Sequence, residues 1–190
     1  MEAQPVARRL PEVLTRDEAK ALLATPNRYY PTGQRDLCMM KLMLNSGLRS
    51  SEVLNLTWKD VDLQTGRLTV RHGKGDKDRQ VWVNESTLEL MRAWRARSPQ
   101  CDYCFPTLKG TRIHGQALRE MMARRGKKAG IAKGVHPHML RHTYATELYR
   151  ETKDIRLVQK ALGHAHLSTT MIYTHIVDDD METAMRALDI

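Results

Sequence analysis

One short stretch breaks the period of this chain. Leu68 and Val70 alternate with polar neighbours, as do Val81 and Val83, and residues 72–78 between them read His-Gly-Lys-Gly-Asp-Lys-Asp. Alternation with a period of two marks a half-buried strand, and glycines among charged residues mark a turn. The spacing therefore predicts a β-hairpin with Lys74 at its tip. Around it the apolar period is helical, so the expected fold is mostly α: an α+β domain in which a helical bundle carries a small antiparallel sheet.

The helices announce their ends. Thr15-Arg-Asp-Glu18 is a capping box, followed by Ala19, Leu22 and Leu23 on one face. Residues 35–44 are rich in Leu and Met nearly all round and close on Asn45-Ser-Gly47, which predicts a buried helix. Arg49 then falls just past a helix end, with Ser50 or Ser51 able to cap the next helix through Leu56. From Asn84, Leu88, Met91 and Trp94 face inward while Arg92, Arg95 and Arg97 face out. Residues 116–129 predict a helix whose exposed side carries Arg119, Arg124, Arg125, Lys127 and Lys128 before a stop at Gly130. Pro137 suits a first helical turn, and His138 and Arg141 follow three residues apart on one face. Asp154 caps a helix with Ile155, Val158 and Leu162 that ends at Gly163, so His164 leaves from a fixed base. Ser168 reads as the cap of a short helix bearing Tyr173, and Met181, Met185 and Leu188 give the tail a helical spacing.

A chain of 190 residues is expected to form one domain, large enough to bury a core. Its 31 Lys and Arg against 22 Asp and Glu leave a net charge of +9, which points to a polyanionic partner. The basic run over residues 119–128 would then track phosphates. No apolar run reaches the roughly 18 residues that a membrane span needs, and the first residues lack a signal-peptide pattern. These readings give the expectation of a cytoplasmic, nucleoid-associated protein with no membrane partner. The three cysteines suit a reducing compartment. Cys101-Asp-Tyr-Cys104 is a lone pair without further ligands, so no metal is expected there, and residues 103–106 read as a buried strand leading to a turn.

Six residues spread along the chain form a chemical inventory: Arg49, Lys74, His138, Arg141, His164 and Tyr173. Phosphoryl transfer asks a protein to position its reactants and to stabilise charge on the non-bridging oxygens. Two arginines suit that task, because guanidinium is always charged and its planar fork matches phosphate oxygens bidentately. Tyrosine is a weak nucleophile near neutral pH, with an unperturbed pKa of about 10, so a base must take its proton. Histidine is the natural choice, and a lysine can return a proton to the leaving oxygen. The set describes a transesterification that needs neither metal nor cofactor and leaves Tyr173 covalently joined to phosphate.

The wording around these residues is specific. Arg49 lies in Leu44-Asn-Ser-Gly-Leu-Arg-Ser-Ser-Glu52, and His138 and Arg141 lie in His136-Pro-His-Met-Leu-Arg-His-Thr-Tyr-Ala-Thr146. Leu162-Gly-His164 and Ser168-Thr-Thr-Met-Ile-Tyr-Thr-His175 follow. In order and spacing these blocks resemble the catalytic domain of the tyrosine recombinases, the phage-integrase and Xer-like family. The last block and Tyr30-Pro-Thr-Gly-Gln-Arg-Asp36 are similar to the integron-integrase branch. The resemblance implies that Arg49 and Arg141 clamp a scissile phosphate and that His164 adds a hydrogen bond. It also implies His138 as the proton acceptor or its helper and Tyr173 as the nucleophile. Lys74 matches the general acid on the hairpin, with Lys77 its neighbouring competitor, and Glu52 matches an acidic position that orients other groups. His142 and His175 fall outside the catalytic pattern.

The implied function is site-specific DNA strand cleavage and rejoining through a 3′-phosphotyrosyl link, with double-stranded DNA as partner. Residues 1–12 read as a linker remnant, 13–177 as the catalytic domain and 178–190 as a helix that docks in cis or on a neighbouring protomer. Nothing before Leu10 is long enough for the family's amino-terminal DNA-clamping domain, so the expectation is a catalytic domain without it. A type IB topoisomerase and a non-catalytic DNA-binding regulator are the alternatives. Joined products from two DNA sites separate the first from a recombinase, and turnover separates the second.

Overall fold

The computed structural model describes residues 11–71, 78–163, 170, 171 and 173. Helix α1 (Arg16–Ala24) starts at the expected capping box: Thr15 Oγ1 accepts from the Glu18 amide at 3.1 Å, and Glu18 Oε2 accepts from the Thr15 amide at 2.8 Å. Helix α2 (Pro31–Ser46) has proline in its first turn and is apolar round much of its girth. Leu37, Cys38, Met39, Met40, Leu42 and Met43 are all buried, which makes it the central helix of the bundle. It packs on the later helices α4 (Glu85–Arg95) and α6 (Pro137–Thr152).

Gly47 ends α2 in the left-handed conformation at φ 61°, and its amide returns to the Met43 carbonyl. The turn is so tight that a Cβ at Gly47 would lie 2.3 Å from the Tyr144 ring. Helix α3 (Ser50–Asn55) begins at once, and here the expectation of a serine cap is corrected. Arg49 occupies the cap position, and Glu52 reaches back to accept its amide at 2.7 Å. A carboxylate in the first turn accepts more strongly than a hydroxyl and suits the positive end of the helix dipole.

The hairpin is as the alternation predicts. Strands β1 (Arg67–Val70) and β2 (Arg79–Trp82) pair antiparallel, with Leu68 opposite Val81 and Val70 opposite Arg79. Leu68, Val70 and Val81 face the core while Trp82 stays exposed. The expected tip, with Lys74 and Lys77, falls in residues 72–77 and lies outside the described residues. Residues 103–106 do not form the expected strand. Tyr103 makes a single bridge to Thr57, and Pro106 one to Arg112. Proline lacks the N–H that a longer ladder would need. Cys104 is buried there, and its carbonyl accepts from the Trp94 indole at 2.7 Å.

Asn84 caps α4, which turns Leu88, Met91 and Trp94 inward. Helix α5 (Gly115–Lys128) packs on α1, α3 and α6. His136 caps α6, and Asp154 caps α7 (Ile155–Leu162), which stops at Gly163. Ala145, Val158, Leu162 and Tyr173 form a second, smaller cluster beside the main core. The expected tail helix, like Ser168, falls outside the described residues. Among the described residues no helix is long and apolar enough to cross a membrane.

Candidate active site

Glu52 is the centre of the site. Its side chain is 6% exposed, and three guanidiniums surround it. Arg49 Nη1 meets Oε1 at 2.8 Å, while the Arg79 fork meets Oε1 at 2.7 Å and Oε2 at 2.8 Å. Arg141 Nη1 stands 4.0 Å from Oε2. Burial by itself would raise the Glu52 carboxyl, but the Arg79 hydrogen bonds, the Arg49 amide and the nearby charges hold it down at about 2. One carboxylate against three guanidiniums leaves an excess of positive charge, which suits a phosphate.

The same arginines cap a helix end. The carbonyls of residues 161, 162 and 163 close α7, where intrahelical donors run out. Arg79 Nε donates to the Ala161 carbonyl at 3.1 Å, Arg141 Nη2 to Leu162 at 2.8 Å and Arg49 Nη2 to Gly163 at 3.3 Å. Arg141 Nη1 also donates to the Gly47 carbonyl. Arg141 therefore bridges the negative ends of α2 and α7. It is 4% exposed, and burial first, then the neighbouring Arg49, lower its pKa to about 10. Each terminal guanidinium nitrogen carries two hydrogens, so an arginine that holds a carbonyl can still turn a donor to an incoming anion.

Tyr173 is 1% exposed, packed against Ala145, Val158 and Leu162. Its hydroxyl lies 2.8 Å from His142 Nδ1. Burial pushes the phenol up to about 12, an effect that Arg141 partly offsets. His142 is itself lowered to about 4, by burial first and then by His138, Arg141 and His136. The pair is thus a neutral imidazole against a protonated phenol. His138 sits one turn earlier on α6, its ring 6.3 Å from that of His142, and burial with Arg141, His136 and Arg49 favours its neutral form.

The structure thus gathers Arg49, Glu52, Arg141, His138 and Tyr173 along α3, α6 and the end of α7. Lys74 and His164 lie outside the described residues. Two partners were not read from the sequence. His142 falls outside the catalytic pattern by wording, yet it meets the hydroxyl of Tyr173, the expected nucleophile; its signal is the spacing from His138, which puts both on one face of α6. Arg79 opens β2 and has no local signal, because Glu52 is 27 residues away. The basic residues of α5 divide. Arg119, Arg124, Lys127 and Lys128 are exposed, whereas Arg125 turns inward to Asp36 Oδ2 at 2.8 Å and the Thr25 carbonyl at 3.2 Å. Arg125 therefore serves the fold. Among the described residues no three His, Cys, Asp or Glu side chains gather as metal ligands would.

The sequence and the fold are shared with known proteins. The model of the phage integrase family matches residues 12–179. The tyrosine recombinase XerC of Xanthomonas campestris pv. campestris (strain B100) is 39% identical over 178 residues, which cover 93% of this chain and 55% of that protein. XerC of Xylella fastidiosa (strain 9a5c) is likewise 39% identical over 178 residues, covering 93% of this chain and 60% of its own length. Among solved structures, that of XerA recombinase superposes with a TM-score of 0.83 at 37% identity, over 94% of this chain and 66% of that one. XerH site-specific recombinase, bound to palindromic difH substrate in a post-cleavage complex, gives 0.82 at 34% identity, over 96% of this chain and 55% of that one. The chain spans a little over half the length of the curated relatives it matches.

Proposed function

Because the chain belongs to the phage integrase family of tyrosine recombinases, we propose that it cleaves and rejoins DNA strands at specific sites through a 3′-phosphotyrosyl intermediate. Residues 13–177 are the catalytic domain in this reading. Arg49 and Arg141 hold the non-bridging oxygens of the scissile phosphate, and His164 adds a donor. Tyr173 Oη attacks phosphorus, forms the Tyr–O–P bond and expels the 5′ oxygen. The phenolic proton passes to a histidine, with His138 as the acceptor or its helper, and Lys74 or Lys77 protonates the departing oxygen. Attack by a second 5′-hydroxyl reverses these steps on another strand. The bond energy stays in the phosphotyrosine, so neither ATP nor metal is consumed.

The observation that carries this reading is the convergence of Arg49 and Arg141 beside Glu52, with Tyr173 on the same helix–helix seam. Tyr173 is buried, so DNA docking must bring its hydroxyl to the phosphate. The exposed Arg119, Arg124, Lys127 and Lys128 bind the duplex backbone, and the helix over residues 178–190 docks on a neighbouring protomer. The setting is cytoplasmic, at the nucleoid.

A nicked duplex carrying a candidate recombination site tests the proposal. A covalent protein–DNA adduct on a denaturing gel is expected from the native chain, in chelator as in buffer, and none from Tyr173→Phe. An adduct that persists in that variant, or one that chelator abolishes, overturns the mechanism. Joined products from two different duplexes are expected of a recombinase, whereas relaxation within one duplex alone points to a topoisomerase.

A further inference from the structure

Arg79 makes three hydrogen bonds, to two residues that lie far from it and from each other in the sequence. Its terminal nitrogens grip both oxygens of Glu52, and its Nε reaches the Ala161 carbonyl. The side chain is only 9% exposed. Glu52 in turn holds Arg49 twice, by the guanidinium at 2.8 Å and by the backbone amide at 2.7 Å. A two-point grip fixes a carboxylate in its plane, which one point charge cannot do. The orientation of Arg49 therefore depends on Arg79 through Glu52.

The end of α7 is shaped to admit this side chain. A Cβ at Gly163 would lie 3.0 Å from Arg79 Cδ and 3.2 Å from Nη1. The glycine of the Leu-Gly-His block thus leaves the space that the Arg79 stem fills. Arg79, Arg141 and Arg49 take the carbonyls of 161, 162 and 163 in succession, so the three guanidiniums are indexed against one helix end. Arg79 also opens β2, the second strand of the hairpin.

We propose that Arg79 is a positioning residue for DNA cleavage. It fixes Glu52, through Glu52 it sets the angle at which Arg49 meets the phosphate, and through Ala161 it locks the hairpin to the end of α7. The proposal rests on the phosphoryl-transfer reading above and adds a residue to which that reading gives no role.

Arg79→Lys keeps the charge and loses the fork, and Glu52→Gln keeps the shape and loses the carboxylate. With the full chain and the nicked duplex at saturation, single-turnover adduct formation is expected to slow about 10- to 100-fold in each, as small misplacements do. Duplex affinity should stay within about twofold, since neither residue is a direct phosphate contact. The double variant should be no slower than the slower single one, because both act on Arg49 by one route. Native-rate cleavage by folded Arg79→Lys, or fully additive losses, overturns the proposal. Should Arg79→Lys melt below the assay temperature, Glu52→Gln carries the same rate test.

A second readout needs no DNA. Phenylglyoxal modification of Arg49, mapped by mass spectrometry with Arg124 as internal reference, is expected to be several-fold faster in Arg79→Lys. Unchanged Arg49 reactivity overturns the positioning role even if the native chain forms no adduct. A missing adduct in the native chain with faster Arg49 modification in the variant instead sinks the cleavage reading alone.

Discussion

A single Cα hydrogen at position 47 holds two features of the site. Gly47 ends α2 at φ 61°, and its carbonyl accepts from Arg141. Gly47→Ala would carry a left-handed penalty of about 1–2 kcal/mol, and its Cβ would press within 2.3 Å of the Tyr144 ring. Overpacking of that kind adds about 1–3 kcal/mol. Gly130 has a similar φ of 72°, and the space where a Cβ would stand is open to 4 Å, so Gly130→Ala isolates the conformational part. Chemical denaturation should find Gly47→Ala the more destabilised of the two by more than about 1 kcal/mol, and only Gly47→Ala should also lose cleavage. Equal losses would mean that the Tyr144 ring yields without cost. At this scale the sequence was informative about residue types. Arg49, Glu52, His138, Arg141 and Tyr173 were all legible from their local wording, but the pairing of His142 with Tyr173 was not, since it joins residues 31 apart.

Helix α5 shows how an element can be legible while its faces are not. Its extent, Gly115–Lys128, follows the predicted 116–129 closely, because glycine stops and apolar spacing are local signals. The roles of its cations depend on what lies opposite. Arg125 faces Asp36, a buried carboxylate on α2 that Arg35 also holds, whereas Lys127 and Lys128 face outward. Removing Arg125 leaves the buried Asp36 carboxylate with one of its two guanidinium partners, Arg35, and Oδ2 without the Arg125 donor. Arg125→Ala is therefore expected to lower the melting temperature by several degrees, in line with about 1–3 kcal/mol for a lost hydrogen bond to a charged group. Lys127→Ala and Lys128→Ala should leave melting unchanged and flatten the slope of log affinity against log salt by about 0.9 for each phosphate no longer neutralised. Fluorescence anisotropy across a salt series reads that slope. If Arg125→Ala melts normally and flattens the slope instead, the assignment of faces is wrong.

Stability of the whole molecule should follow pH in two successive windows that overlap only at their shared edge, each owned by one side of the site. The fold holds the Glu52 carboxyl at about 2 against an ordinary 4.5, so it favours the charged form. That contribution is complete above the ordinary value and is lost as pH falls from there towards 2. His142 is held at about 4 against an ordinary 6.5, so the fold favours the neutral ring. Its contribution is complete above 6.5 and is lost as pH falls towards 4. Thermal melts of Glu52→Gln should be flatter than native in the lower window and those of His142→Gln in the upper one; a variant that parallels the native curve in its own window contradicts the assignment. The sequence by itself determined the mostly helical architecture, the hairpin and the helix ends at which the candidate site residues sit, because caps, stops and apolar periods act over a few residues. Only the tertiary structure decided which partner each charge takes. Arg79 with Glu52, Arg125 with Asp36 and Tyr173 with His142 meet across 27, 89 and 31 residues. Such pairings arise where elements distant in the chain pack together and exclude water, and no local spacing encodes where that happens.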